Sequence, residues 1–182
     1  GSIESDGMGT LLTTSECLLS PNRNGQKNKV EIEEYLKSVF QVRQILWLDD
    51  GYLAGDDTDS HIDTLARFCP ADTIVYVQCE DETDEHYEAL QAMEEQLHSF
   101  RTLNGEPYRL LALPMADKIV EEGERLPATY ANFLILNGTI LYPTYNQPEN
   151  DRRACEVLQE AFPGYQMVAV SYTHLRAHET LA

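Results

Sequence analysis

Basic residues are scarce in this chain. Lys and Arg number 13 against 31 Asp and Glu, a formal net charge of −18. Such a surface repels polyanions, so the sequence argues against nucleic acid and anionic membrane as partners. A small cationic molecule suits it better, although acidic surface also serves plain solubility. Long apolar runs are missing too, and none approaches a membrane span. The four cysteines, Cys17, Cys69, Cys79 and Cys155, form no C-x-x-C pair. That removes the usual signature of a structural zinc site or a thioredoxin-like redox pair. Scattered thiols fit a reducing, cytoplasmic compartment. An initiating methionine is also absent, so the chain is read as processed or as a piece of something longer. Its 182 residues, 42% hydrophobic, suffice for one soluble domain or a large part of one.

What the chain does have is an acidic cluster between two apolar runs. Gly55-Asp56-Asp57-Thr58-Asp59-Ser60-His61-Ile62-Asp63 packs four aspartates and a histidine into nine residues. Crowded like charges cost free energy and are seldom placed beside a core without a reason. His61 and Asp63 are two apart, so on a strand they would project from one face. A carboxylate can grip a cation and an imidazole can move protons near neutral pH. Calcium binding fails the EF-hand test, because the central glycine and terminal glutamate are out of place.

The apolar spacing predicts three helices. Their faces are Ile32, Tyr35, Leu36, Val39 and Phe40; Tyr87, Leu90, Met93, Leu97 and Phe100; and Ala154, Val157, Leu158, Ala161 and Phe162. Asn28 with Glu31 reads as a capping box for the first, and the acidic run Glu80 to Glu88 as a solvated lead into the second. A strand-like run follows each helix, at residues 44–48, 108–113 and 166–170. A hairpin-like pair precedes each, at residues 9–19, 62–78 and 130–145, the last turning at Asn137-Gly138. Strand, strand, helix, strand therefore recurs at a period of roughly 55 to 65 residues, which suggests blades around an axis. The predicted class is α/β, about three such blades.

Four segments in order carry a family resemblance: Gly1-Ser2-Ile3 with Asp6-Gly7; Leu18 to Asn24, ending Asn22-Arg23-Asn24; Asp57 to Asp63; and Tyr130-Ala131-Asn132-Phe133. The chain resembles the agmatine deiminase and bacterial-type peptidylarginine deiminase family, guanidinium-modifying α/β-propellers (penteins), over residues 1–170. The resemblance implies a five-blade ring of which three blades are present. It implies hydrolysis of a guanidinium, agmatine giving N-carbamoylputrescine and ammonia, with arginine or peptidyl-arginine as the alternative substrate. It implies no metal or organic cofactor, a small cationic guanidine as partner, and a parent that could be a homo-oligomer. A non-catalytic binding module for cations is the reading from a different class.

The family chemistry uses a cysteine thiolate that attacks the guanidinium carbon, a histidine that shuttles protons, and carboxylates that hold the plane. By resemblance His61 is the general acid/base and Asp63 a guanidinium-binding carboxylate. Asp57 and Asp59 are substrate-binding candidates or turn-forming residues. The family glutamate would lie two residues before Gly1, and the nucleophile in a Gly-rich stretch ending His-Cys that this chain lacks, so the chain alone is expected to be inactive. Cys69 and Cys79 are expected at strand ends far from His61. Ser60 stands where many members have glycine, and fits the same turn if φ is negative. Arg23 is expected to tie blades together, and Tyr130 and Asn132 to sit on a strand near the axis, the asparagine buried. Residues 171–182 depart from the pattern and resemble translated adapter sequence, so no function is expected of His174, Arg176 or His178.

Overall fold

The computed structural model describes residues 1–171, and within them the strand–strand–helix–strand unit occurs three times. The tail expected at 171–182 lies outside the described residues except for Ser171, which ends β11. Blade one comprises β1 (Ile3–Ser5), β2 (Thr10–Thr14), the short helical turns α1 (Ser15–Leu18) and α2 (Pro21–Asn24), α3 (Lys29–Phe40) and β3 (Gln44–Leu48). Blade two opens with the turn α4 (Ile62–Leu65) and continues through β4 (Ala66–Cys69), β5 (Thr73–Gln78), α5 (Tyr87–Ser99) and β6 (Arg109–Pro114). A two-residue ribbon, β7 (Val120–Glu121) and β8 (Glu124–Arg125), precedes blade three. That blade contains β9 (Leu134–Leu136), β10 (Thr139–Thr144), α6 (Pro148–Ala161) and β11 (Gln166–Ser171).

Each blade begins as an antiparallel hairpin, and its helix then returns the chain parallel to the middle strand. The third hairpin turns where the sequence says, with φ of +49° at Asn137 and +77° at Gly138, the left-handed pair of a type I′ turn. The other hairpins need correcting. Blade one pairs Ile3–Ser5 with Thr10–Thr14, and Ser15–Leu18 is helical because the Thr14 hydroxyl caps that turn at Cys17. The segment expected as strand from Ile62 is helical through Leu65.

Strand alternation buries both faces of the first blade. Leu11, Ile45 and Trp47 face Ile32 and Leu36 of α3. The intervening Leu12, Leu46 and Leu48 join the main core with Ile74, Val75, Leu90 and Met93 of blade two, which runs on to Ile140, Leu158 and Phe162 of blade three. α5 packs on its own β5 and on β3 of the blade before, and α6 on its own β11 and on β5 and β6 of the blade before. Each of these helices thus fills a seam. α3 packs on β3 of its own blade, and its outer side faces solvent: Val30, Tyr35, Val39 and Phe40 are exposed. The five-residue face expected for this helix is therefore only Ile32 and Leu36 in the core.

One side chain ties the first strands of blades one and two to the segment that leads into blade three. Arg67 on β4 sits 2.9 Å from a Glu4 carboxylate oxygen on β1, an ion pair whose Nε–H lies off the hydrogen-bond line. Its Nη1 donates to the carbonyls of Phe133 (2.7 Å) and Ala131 (3.4 Å), just before β9, and its guanidinium lies over the Phe133 ring. Both charged side chains are only 13% exposed. Burial raises the Glu4 carboxyl above its ordinary value even though Arg67 pulls it down.

The capping box is real: the Asn28 side chain accepts from Glu31 N–H and the Glu31 carboxylate accepts from Asn28 N–H. Asn28→Ala should cost about 1 kcal/mol in urea unfolding followed by the fluorescence of Trp47, which packs beneath α3. No loss of stability would mean that the cap is unimportant to blade one.

Candidate active site

The acidic segment folds as a loop held at several points. Asp56 organises it internally, accepting from Thr58 N–H (3.0 Å), the Thr58 hydroxyl and Ser60 N–H (2.9 Å). Such Asx geometry is why an aspartate opens the turn. Arg23 on α2 donates to the Thr58 carbonyl at 2.7 Å and pairs with Asp59 at 3.2 Å. The Thr14 hydroxyl at the end of β2 donates to the Ser60 carbonyl at 2.8 Å. Blade one thus fixes the loop that enters blade two. Asp59 and Ser60 have φ of +60° and +56°. Ser60 therefore occupies a left-handed turn, contrary to the negative φ expected, and carries the strain that glycine avoids.

His61 and Asp63 do not share a strand face. His61 is the N-cap residue of α4, and Asp63 lies in the first turn of that helix. They are brought together by the turn and by the start of the chain. Asp63 N–H points to the Gly1 carbonyl at 3.5 Å, and a Cβ on Gly1 would collide with His61 Nδ1 and both Asp63 carboxylate oxygens. Any side chain at position 1 would therefore have to displace the His61 and Asp63 side chains. His61 Nε2 and Asp63 Oδ1 are buried and have no hydrogen-bond partner. Buried polar atoms are rarely left so, and a ligand that both donates and accepts would satisfy the pair.

Burial pushes the His61 imidazole below its ordinary value. The Gly1 ammonium acts in the same direction, and Asp63 opposes both. A neutral imidazole is thus the resting form near pH 7, able to accept a proton.

The other predicted residues are placed less centrally. Asp59 is engaged by Arg23, so it shapes the loop, and Asp57 is exposed. Tyr130 lies in a turn before β9, fully buried, its hydroxyl donating to Asp151 at 2.6 Å. Asn132, expected to be buried on a strand, is exposed in the same loop. Cys69 ends β4 away from His61, and burial pushes its thiol up to about 12. Cys79 is a correction. β5 runs antiparallel to β4, so Cys79 emerges at the end of the sheet where α4 enters. Burial raises its thiol as well, and its Sγ points to the Asp81 carbonyl, which argues against a thiolate.

Sequence reasoning missed Glu4 and Arg67; of the loop's partners it found Arg23, expected to tie blades together, but not Thr14 or His86. It also took Glu80 to Glu88 as solvated, whereas His86 within that run is 1% exposed, with its Nδ1 2.6 Å from Asp84 Oδ1. An isolated histidine in an acidic run was the available signal. An open cleft of about 620 Å³ lies at the ends of β5 and β6, lined by Glu80, Asp84, Asp117 and Arg153 among others. Neither His61 nor Asp63 lines it, so its size does not make it the reactive centre. Among the described residues, no cluster of His, Cys, Asp and Glu could hold a metal ion, and no helix is long and apolar enough to cross a membrane.

Three hairpin–helix–strand blades with an imidazole and a carboxylate at the head of the second define an α/β-propeller protein. The chain belongs to the Porphyromonas-type peptidyl-arginine deiminase family, whose model matches residues 1–179. A relative from Marinomonas sp. (strain MWYL1), named provisionally as an agmatine deiminase, is 36% identical over 93% of the chain and 50% of its own length. The structure of a Cys-to-Ser variant of C. jejuni agmatine deiminase with substrate bound is 43% identical, with a TM-score of 0.89 over 96% of this chain and 50% of that one. A Porphyromonas gingivalis structure, described provisionally as an arginine deiminase, is 49% identical, with a TM-score of 0.92 over 97% and 52%. The chain spans about half the length of the curated relatives it matches.

The His61 ring should titrate, by NMR, with a midpoint below the ordinary histidine value of about 6.5. Asp63→Asn should lower it further, since Asp63 supports the imidazolium. Because folding disfavours the protonated ring, His61 stabilises the fold at neutral pH and loses that contribution as pH falls. A midpoint at or above the ordinary value would show that the ring is solvated or differently paired.

Proposed function

We propose that the protein to which this chain belongs hydrolyses the guanidinium of agmatine, giving N-carbamoylputrescine and ammonia. The observation that carries the reading is the pair of buried, unpartnered atoms, His61 Nε2 and Asp63 Oδ1, on one helical turn. A guanidinium is a planar cation whose N–H groups suit a carboxylate, and the nitrogen it loses must leave protonated. Asp63 accepts from the guanidinium and fixes its plane. A cysteine thiolate from outside this chain attacks the central carbon, after His61 has taken the thiol proton. His61 returns that proton to the departing nitrogen, which leaves as ammonia. It then takes a proton from water, whose oxygen displaces the thiolate and leaves the urea product. Each proton transfer of this kind contributes on the order of 10² to 10⁴ in rate.

Agmatine is favoured because the C. jejuni relatives, at 43% and 42% identity, are agmatine deiminases, one of them a Cys-to-Ser variant with substrate bound. The 49% identity to the P. gingivalis protein supports arginine as the second reading. Both share the head group and differ beyond the alkyl chain.

Ammonia release should be measured on this chain and on the complete reading frame from its source DNA. The chain alone should be inactive with agmatine and arginine, since it contributes no activated cysteine. The complete protein should turn over agmatine, and His61→Ala should lower its kcat about 10³-fold or more. Turnover by this chain, or a complete protein that binds guanidines without releasing ammonia, would contradict the proposal. Faster turnover of arginine would select the second reading.

A further inference from the structure

The loop that delivers His61 is gripped at its near end by groups from two other segments. Ala54 N–H donates to His86 Nε2 at 2.7 Å, so the imidazole carries its proton on Nδ1, which faces Asp84 Oδ1 at 2.6 Å. Arg125 at the end of β8 closes the chain of contacts. Its Nη1 and Nη2 donate to the two Asp84 oxygens at 3.2 and 2.9 Å, and Nη1 also donates to Glu85 at 2.8 Å. Tyr52 in the same loop leans on the His86 ring and donates to the Glu85 carbonyl. The backbone of the ribbon also presses on the loop: any Cβ at Gly55 would collide with the Arg125 carbonyl, and Gly55 has φ of +83°. His86 and Arg125 are 1% and 9% exposed, which is unusual for such groups unless their partners are fixed.

Neither blade two nor blade three needs this assembly for its own sheet. Arg125 belongs to a short ribbon outside the blades, and His86 precedes α5. What the two have in common is Ala54 and Gly55, a few residues before His61. We propose that Arg125, Asp84 and His86 form a relay that positions the 52–60 loop, and with it His61, for proton transfer. This deepens the deiminase reading above and rests on it for the purpose of the positioning. Asp84 is the hinge: it takes a bidentate guanidinium on one side and orients the imidazole on the other, so that Nε2 presents a lone pair to the loop. Its carboxyl lies below the ordinary aspartate range, with burial opposing and the bonds from Arg125 and His86 outweighing it. The relay comprises positioning residues, since none of them reaches the unpartnered atoms of His61 and Asp63.

The test is NMR on the 182-residue chain itself, reading hydrogen exchange at the Ala54 amide and the titration of the His61 ring. His86→Phe keeps the ring volume and removes the acceptor. It should speed Ala54 exchange about tenfold or more and displace the His61 midpoint, with the overall fold intact by circular dichroism. His86→Gln restores an acceptor oxygen and should return both readouts toward the unsubstituted chain, which a merely space-filling role would not do. Arg125→Lys retains the charge but loses the two-pronged grip, and it should loosen Ala54 to an intermediate degree. It also serves as the test if His86→Phe fails to fold. The proposal is overturned if Ala54 exchange or the His61 midpoint is unchanged in the folded variants, or if Gln behaves like Phe. No turnover is read, so a complete protein that proves inactive on guanidines would sink the deiminase reading and leave this result standing.

Discussion

The buried Arg67–Glu4 ion pair is the contact on which the arrangement of the blades depends. β1, β4 and the segment before β9 meet at Arg67, which satisfies carbonyls on one side and a desolvated carboxylate on the other. Taking two charges out of water is expensive, and such a pair holds only where geometry is fixed by what surrounds it. Here the surroundings are the first strands of blades one and two and the segment that leads into blade three. Shifting one blade along its neighbour would leave Glu4 buried without its cation. The apolar core supplies the bulk of the cohesion, but apolar burial is non-directional and would tolerate such a slip.

That constraint reaches the site through short paths. Glu4 lies three residues after Gly1, whose carbonyl faces the Asp63 N–H at 3.5 Å, and Arg67 lies four residues after Asp63. His61 and Asp63 are thus bracketed by the two ends of the same ion pair. The loop before His61 is pinned separately, by Arg23, Thr14 and the groups around His86, so blades one and two and the ribbon all bear on one turn. Left-handed Asp59 and Ser60 are strained positions that this density of contacts can sustain.

Much of the fold was legible in the sequence, for reasons that differ by element. The helices announced themselves through three- and four-residue apolar spacing, and the third hairpin through Asn137-Gly138, because both signals are local. All of α4 was read as strand, since four residues are too short for periodicity to separate a helical turn from a strand. The outer face of α3 was read as core because spacing records amphipathicity and not which neighbour is present. In the site, His61 and Asp63 stood out by residue type and motif. Glu4 and Arg67 did not, because their pairing joins positions 63 residues apart on different blades, and nothing local to either marks the other. Cys79 was placed at the wrong end of its strand for a similar reason: its location follows from the antiparallel register of β4 and β5, a tertiary fact.

A double-mutant cycle on Glu4→Gln and Arg67→Met, read by urea unfolding with the His61 ring resonance followed in parallel, tests the central claim most directly. A buried, blade-joining pair predicts a coupling of about 1 to 3 kcal/mol, with Arg67→Met alone costing more than the double variant, and a displaced His61 resonance in each single variant. Additive effects, or a His61 resonance indifferent to both substitutions, would show that the ion pair neither aligns the blades nor reaches the site.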